Sequence, residues 1–198
     1  MRKVLILTVM LMVCSAPTLV GQETYKDFMS TTYRINSGGM LVLGSWAAAN
    51  IISGAIGWSR NIDQRMYFHQ MNFFWNVVNL SIAGVGLYGS QMTDFSLWSG
   101  DEMINRQGKI QQLFLINAGL DIGYMGAGLI LNRIAPKYPK NQNRLAGYGN
   151  SVMLQGGFLF IFDLVLYGIQ RSHRLDFLDQ ISLSSMNEAM GVSISIIL

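Results

Sequence analysis

The sequence predicts an all-α polytopic membrane protein, folded as a four-helix transmembrane bundle. Of its 198 residues, 51% are apolar and only 13% are charged, whereas soluble domains carry about 25% charged residues. Each of four windows contains at most one charged residue and exceeds the roughly 20 residues that a spanning helix needs. This pattern argues against both a water-soluble globule and a disordered chain. The windows are residues 35–59, 66–93, 110–132 and 145–170.

The first 21 residues have the pattern of a secretory signal peptide. Arg2 and Lys3 precede an apolar run at residues 4–13, and small residues lead to a cleavage site after Gly21. Two alternatives stay open. An uncleaved signal anchor would add a fifth helix. A lipoprotein would be acylated at Cys14, although Val13 before it is larger than such a site normally allows.

Four spans follow, after a short interfacial helix at residues 22–36 whose apolar face includes Phe28 and Met29. The signal peptide places Gln22 outside the cytoplasm, and four crossings return the C-terminus to that side. We therefore expect a bacterial inner membrane protein with both termini periplasmic. The connections at 59–66 and 132–147 would be cytoplasmic. The count of Lys and Arg is six on each side and does not decide the orientation, but the four cations of the short connection at 132–147 favour the same answer. The spans are 38–58, 67–88, 113–131 and 148–169, within a transmembrane domain at 37–170.

The remaining segments are expected outside the bundle. Residues 91–109 form a predicted outer loop, and 171–198 a C-terminal tail with His173 in a solvated flank. The tail begins with helical periodicity, but alternating apolar residues at 192–198 indicate a strand. Such a strand would need to pack on the bundle, the membrane or a partner.

Polar residues recur on one face of the second span. Steps of three and four residues put them on one side of a helix, opposite an apolar side that includes Val78 and Ile82. Small residues and Asn at such spacing allow helices to pack closely and to share hydrogen bonds. The members are Arg65, His69, Asn72, Asn76, Asn79, Ala83 and Gly86.

The other spans carry matching seams. Small residues surround Asn50 in the first span, and Asp163 shares the fourth with Gln155. We expect Asp121 to cluster with Asn50, Asn76 and Asn79 near mid-bilayer, and Asp163 to make a separate contact with Asn117. The seams are Gly44, Ala47, Asn50, Gly54 and Gly57 in the first span, and Asn117, Asp121, Tyr124 and Gly128 in the third.

Two interpretations of these polar residues stay open. Asn side chains between membrane helices commonly hold them together, at about 0.6–2 kcal/mol per contact. Ionisable residues within a membrane are functional candidates by default, so Asp121 and Asp163 are the strongest candidates, and packing and a ligand or ion path stay equally open for them. For His69, an interfacial hydrogen bond is favoured over a relay. With one cysteine and two histidines in the sequence, we predict no cofactor and no metal site.

A weak repeat indicates two tandem helical hairpins. Leu87-Tyr88-Gly89 closes the second span and Leu166-Tyr167-Gly168 the fourth, at an offset of 79 residues that also pairs Asn76 with Gln155. An offset of 71 aligns the first and third spans and pairs Asn50 with Asp121. Two hairpins of equal topology are related by a pseudo-two-fold axis along the membrane normal.

One motif in the second span carries a resemblance. The run Tyr67-Phe-His69-Gln-Met-Asn72, followed by Trp75-Asn76 and Asn79, resembles uncharacterised bacterial integral membrane proteins with a domain of unknown function. The likeness covers residues 35–170. It implies a four-helix inner-membrane protein without an assigned activity, and no catalytic residue can be transferred from it.

The sequence favours a small non-enzymatic membrane protein that acts as a structural or accessory subunit of an envelope complex. Its partners would be the lipid bilayer and either further copies of itself or a larger membrane complex. The first alternative is a small oligomeric transporter or channel with an Asp- and Asn-lined proton or cation path. The second is an intramembrane enzyme. A nucleic-acid partner is disfavoured, because no basic stripe with interleaved aromatic residues occurs.

Overall fold

The computed structural model consists of four long helices in two antiparallel hairpins. The helices are α1 (Arg2–Arg60), α2 (Asp63–Met92), α3 (Gly100–Ile134) and α4 (Gln142–Ile197). The structure describes residues 24–184 with their side chains, and no strand occurs in that part. The all-α prediction is confirmed. The predicted strand at 192–198 is not seen, because the backbone of α4 stays helical to Ile197. The predicted signal segment at 1–21 forms the start of α1, and its side chains lie outside the described residues.

Short connections join the helices. Between α1 and α2 the turn is completed by Asp63 at a φ of 57°, a left-handed conformation that Asp tolerates better than most residues. Two proline-containing 3₁₀ turns at 135–141 separate α3 from α4. In the connection after α2, the backbone N–H of Ser96 donates to Oδ1 of Asp94 at 2.8 Å. This hydrogen bond holds the pKa of Asp94 below its usual range.

The helices extend beyond the predicted spans. Residues 24–36 continue α1, so the predicted separate interfacial helix is not seen, and Phe28, Met29 and Thr32 are buried against the rest of the bundle. The predicted outer loop at 91–109 shortens to 93–99, because Ser99 caps α3 by accepting a hydrogen bond from the backbone N–H of Glu102. Both corrections have one cause. Polar and charged residues ended the predicted spans, but they did not end the helices.

Small residues bring the helices together. A Cβ added at Gly54 would lie 3.0 Å from the backbone nitrogen of Phe73, and one at Gly128 would lie 2.7 Å from the carbonyl oxygen of Gly149. These contacts fix α1 along α2 and α3 along α4. Between the hairpins, Gly147 in α4 packs on the backbone of α2 at Gln64. The parallel helices α2 and α4 therefore form the centre of the bundle, with α1 and α3 on either side.

The two hairpins follow the predicted repeat. Positions related by 71 residues in α1 and α3, or by 79 in α2 and α4, are buried together in both hairpins. The prediction of two tandem hairpins is therefore consistent with the packing. The buried pairs are Leu43 with Phe114, Ala47 with Ala118, Gly57 with Gly128, Asn72 with Ser151 and Asn76 with Gln155.

Three helical segments are long and apolar enough to cross a membrane: Thr24–Arg60, Gly100–Lys137 and Pro139–Ser184. The fourth predicted span, in α2, is not among them. Its 30 residues could extend about 45 Å, but Asn72, Asn76 and Asn79 lower its mean hydropathy. All three of these side chains point into the bundle, so the outward face of α2 is more apolar than its composition suggests.

The end of the bundle that holds residue 24 is closed by contacts from α1, α3 and α4. Gln107 donates to Gln170 across the α3–α4 interface, and Arg174 donates to the Gln107 side chain. The prediction that His173 lies in a solvated flank is wrong. Instead its ring stacks on Phe28, and its Nε2 lies 3.0 Å from the Phe28 carbonyl oxygen. The correction follows from α4, which continues through residue 173 and keeps this face against α1.

Candidate functional site

A cavity of about 400 Å³ lies at the middle of the bundle, and all four helices line it. We call it the carboxyl cavity. Two carboxyl groups and two amides interrupt a wall that is otherwise aliphatic and aromatic. Among the described residues, no Lys, Arg or His lines it. The lining residues are Met40, Leu43, Trp75, Val78, Asn79, Ile82, Phe114, Asn117, Leu120, Asp121, Tyr124, Leu159, Phe162 and Asp163.

The carboxyl groups of Asp121 and Asp163 lie within hydrogen-bonding reach of each other. Both residues are buried, with 3% and 5% of their surfaces exposed. Oδ2 of Asp121 is buried and receives no hydrogen bond from any described group. Because an ionised carboxyl group is only an acceptor, this atom needs either a proton held between the two groups or a donor from outside the chain.

This pairing corrects the prediction that Asp121 and Asp163 occupy separate clusters. The helices α3 and α4 are antiparallel, and Asp163 lies about two turns of α4 beyond Gly156, which packs on the backbone of Asp121. Every Cα–Cβ bond of a helix tilts toward its own N-terminus. Because α3 and α4 are antiparallel, the side chains of Asp121 and Asp163 lean toward each other. This lean shortens the distance between the two carboxyl groups along the bundle axis.

Amides fill the bundle beside the cavity. Nδ2 of Asn72 donates to Oδ1 of Asn50 at 3.0 Å, and Nε2 of Gln155 donates to Oδ1 of Asn72. Asn76 donates in turn to the Asn72 carbonyl at 2.8 Å. We call Asn50, Asn72, Asn76 and Gln155 the amide cluster. Its members form hydrogen bonds with one another, which is the arrangement expected of side chains that hold helices together.

The predicted site residues thus divide into two groups. Asn79 and Asn117 line the cavity with the carboxyl pair, whereas Asn50, Asn72 and Asn76 belong to the amide cluster. The predicted cluster of Asp121 with Asn50 and Asn76 is therefore wrong. Asn79 connects the two groups through a long hydrogen bond of 3.5 Å to Asn76.

His69 lies away from both groups. Its ring packs where Gly57 leaves space in α1, near the cation-rich connections of the bundle, and its Nδ1 is buried without a partner among the described residues. The glycine is what admits the ring, because a Cβ there would overlap it. His69 therefore joins α1 to α2 and does not reach the carboxyl cavity.

Asn117 is exposed, which differs from the predicted seam of α3. The buried face of α3 passes through Phe114, Ala118 and Asp121, one position away from Asn117. Asn117 stands at the mouth of the cavity with Tyr124, which is 40% exposed. The sequence prediction assigned the polar residues of α3 to its inward face by residue type alone. Apolar residues, Phe114 and Ala118, occupy part of that face instead.

The cavity opens between α2 and α3, which do not pack against each other through their backbones. We call this the open gap. Its rim is apolar and faces outward, since Val78, Ile82 and Leu120 are all more than half exposed. Trp75 and Tyr124 meet across it, edge to face, with ring centroids 4.9 Å apart.

The pseudo-equivalent gap between α1 and α4 is filled around Trp46, and we call this stretch the filled gap. Nearer to residue 24, a separate apolar groove of about 620 Å³ remains between the same two helices. The ring of Trp46 stacks on Phe158 with centroids 3.9 Å apart, and its Nε1–H donates to Oε1 of Gln155 at 3.0 Å. The repeat relates Trp46 to Asn117 and Phe158 to Asn79. Two asparagines in the open gap thus stand where two aromatic rings fill the other gap. Trp46 belongs to none of the polar or small-residue patterns in the sequence, so it was not predicted as a site residue.

Residues 42–164 match a family described as a family of unknown function, DUF6992. The chain belongs to the DUF6992 family. No curated protein and no solved structure matches the chain. The expected likeness to proteins with a domain of unknown function is confirmed, and a bacterial origin stays a prediction.

The part of the chain shared with DUF6992 includes both gaps and every residue that lines the cavity except Met40. It begins just before Trp46 and ends just after Asp163. The contacts around Phe28 and Gln170 lie outside it. The paired carboxyl groups and the amide cluster therefore belong to the DUF6992 segment, and the closed end of the bundle is formed by the flanking helical extensions.

Proposed function

We propose that this chain is a small non-enzymatic integral membrane protein that serves as a structural or accessory subunit of an envelope complex. One observation carries the proposal: polar side chains are inside and apolar ones outside. Asn76 and Gln155 are fully buried, whereas Ile52, Val85 and Ile161 are more than 60% exposed. A water-soluble protein rarely exposes such continuous apolar surface, and lipid would cover it.

Under this proposal α2 crosses the membrane as a fourth span. Its amides are removed from lipid by the amide cluster, and its outward face is apolar at Val77, Val78 and Val85. A spanning helix can carry polar residues when they face the bundle interior and find partners there. The mean hydropathy of α2 is then a poor guide, because lipid contacts only part of its circumference.

The charge distribution supports an orientation for the bundle. Asn143 after the 3₁₀ turns donates to Asp63 at the start of α2, so the two short connections lie at the same end. That end carries six Lys and Arg residues, as many as the other end, but four of them lie in the short connection at 132–147, and cations in short loops are retained in the cytoplasm during insertion. Both termini would then be periplasmic in a bacterial inner membrane. The cations are Arg60, Arg65, Arg133, Lys137, Lys140 and Arg144.

A structural role accounts for the amide cluster without a reaction. Asn50, Asn72 and Gln155 are paired with one another, and the two histidines lie at His69 and His173, away from Asp121 and Asp163. The apolar outer surfaces of the helices are available to a second copy of the chain or to a larger membrane complex. Such a subunit contributes contacts, and its polar interior keeps four helices in register.

The experiment is purification of the full chain from membranes in a mild detergent. We expect the protein to sediment with membranes after an alkaline carbonate wash and to elute either as a homo-oligomer or with a stoichiometric partner. Recovery in the soluble fraction without detergent would contradict membrane integration. A monodisperse monomer that captures no stoichiometric partner would contradict the subunit role but not membrane integration.

A proton or cation path is the second candidate, and the carboxyl pair favours it. Ionisable groups within a membrane commonly serve transport, and Asp121 and Asp163 meet in one cavity. Reconstituted in liposomes, Asp121→Asn and Asp163→Asn should abolish proton or cation flux if this function holds, while Asp63→Asn at the connection should leave it unchanged. Absence of flux from the unaltered, folded protein would exclude this candidate.

A further inference from the structure

The carboxyl cavity has the dimensions and the wall of a ligand site. Its volume of about 400 Å³ lies within the range of roughly 300–1,000 Å³ that is usual for small-molecule pockets. Such pockets combine an apolar wall with a few convergent polar groups. Here the polar groups are Asn79, Asn117, Asp121 and Asp163, of which the two carboxyl groups lie within reach of each other.

The polar groups of the cavity favour a ligand that is positively charged and donates hydrogen bonds. Two carboxyl groups that share one proton carry one negative charge between them, and none of the described lining residues is a cation. Of the two ways to satisfy Oδ2 of Asp121, a shared proton or an outside donor, only the outside donor can also balance that charge. A protonated amine supplies both the charge and the N–H groups, and a charge-assisted hydrogen bond to a carboxylate is among the stronger ones.

The rest of the wall suits an apolar body attached to that amine. Trp75 and Tyr124 form the mouth, and Phe114 and Phe162 lie further in. Aromatic faces attract organic cations at about 0.5–2 kcal/mol each. A small metal ion would find too few oxygen ligands here, since Mg²⁺ and Ca²⁺ take six or more.

The filled gap shows what this fold accepts at the same position. There the chain supplies its own aromatic group, because the Trp46 indole stacks on Phe158 and donates its N–H to Gln155. In the open gap the related residues are Asn117, Asn79 and Asn76. The place of an aromatic group with an N–H donor is thus left vacant by the chain's own residues.

We propose that the carboxyl cavity binds a lipophilic organic monocation, a protonated amine on an aromatic body, which enters sideways between α2 and α3. The ammonium group contacts Asp121 and Asp163, and the body occupies the space that Trp46 fills in the other gap. The apolar rim at Val78 and Ile82 places the entrance toward lipid. This inference goes beyond the proposed function and does not depend on a partner protein.

Radiolabelled tryptamine tests it, with the full chain in nanodiscs of neutral phosphatidylcholine. Tryptamine is a monocation on an indole, and indole-3-propionate is an anion of similar shape. We expect saturable binding of about one tryptamine per chain, and displacement by indole-3-propionate at least tenfold weaker than by unlabelled tryptamine, about 1.4 kcal/mol. Equal displacement by the anion, or no saturable binding to the folded protein, would overturn the proposal.

Variants locate the binding. Asp163→Asn should weaken binding roughly tenfold to a hundredfold, since it removes a charged acceptor. Asp63→Asn is the matched control, because it removes a carboxyl group far from the cavity and Asn also tolerates a positive φ. It should bind tryptamine unchanged. If Asp63→Asn weakens binding as much as Asp163→Asn does, the cavity is not the site.

A filling variant keeps the test independent of the charge change. Asn117→Trp introduces into the open gap the residue that the repeat places in the filled gap, so it should abolish tryptamine binding while the thermal unfolding transition in detergent is retained. Binding as tight as that of the unaltered protein would overturn the proposal. If Asp163→Asn or Asn117→Trp does not fold, the other variant still decides the outcome, and so does the comparison of the two ligands.

Discussion

The filled gap and the open gap occupy related positions in the two hairpins, but only one of them is closed by the chain itself. Trp46 and Phe158 close the gap between α1 and α4 by stacking. In the gap between α2 and α3, Asn117 and Asn79 are too small to meet, and a cavity remains. The comparison teaches that a repeated fold can form a pocket where two amides replace two rings and the neighbouring helices lie too far apart for backbone contact.

The two gaps also differ in charge. Asn50 in the first hairpin is matched by Asp121 in the second, and Asp163 replaces a position held by Gly84 in α2. The amide of Asn50 is satisfied within the amide cluster, whereas Oδ2 of Asp121 has no donor among the described groups. Packing is therefore complete where the residues are amides and rings. It is incomplete where they are carboxyl groups.

The largest expected effect is on the filled gap. Trp46→Ala removes a stacked ring and leaves Oε1 of Gln155 without its donor, so the free energy of unfolding in detergent should fall by about 3–5 kcal/mol. Trp75→Ala, at the open gap, should cost at least about 1 kcal/mol less, because Trp75 has an edge contact with Tyr124 but no side-chain hydrogen bond to a described residue that would be lost. Equal losses in the two variants would show that the gaps are packed alike.

A smaller effect distinguishes the amide cluster from the cavity. Asn72→Leu leaves Gln155 without an acceptor and Asn50 without a donor, so denaturant unfolding should show a loss of about 1–3 kcal/mol. Asn79→Leu should change stability by less than about 1 kcal/mol, because that side chain faces the cavity and has a long hydrogen bond. A larger loss for Asn79→Leu than for Asn72→Leu would reverse the comparison.

The inward faces of α1 and α2 were predictable, because they follow from spacing alone. Asn72, Asn76 and Asn79 are buried where the steps of three and four residues place them, and so are Gly54 and Gly57. In α2 the polar and small residues recur on the buried face, and in α1 they share that face with Met40 and Leu43. Periodicity and residue type therefore give the same answer.

The inward face of α3 and the carboxyl pair were not predictable in the same way. Phe114 and Ala118 compete with Asn117 for the inward position, and residue type favoured the wrong one. Asp121 and Asp163 come together because side chains in antiparallel neighbouring helices tilt toward each other. The sequence prediction compared only the depth of each residue along its span and did not include this tilt. Likewise, the pairing of Trp46 with Gln155 depends on α1 and α4 being neighbours.

The central claim is that the open gap is an unfilled copy of the filled gap, and Asn117→Trp tests it most directly. An indole added to a packed interface costs about 1–3 kcal/mol or more, and we expect that loss for Ala118→Trp at the next residue, which is buried in the seam. The free energy of unfolding of both variants would be measured in the same detergent. The account predicts that Asn117→Trp keeps or exceeds the stability of the unaltered protein. A loss as large as that of Ala118→Trp would contradict it.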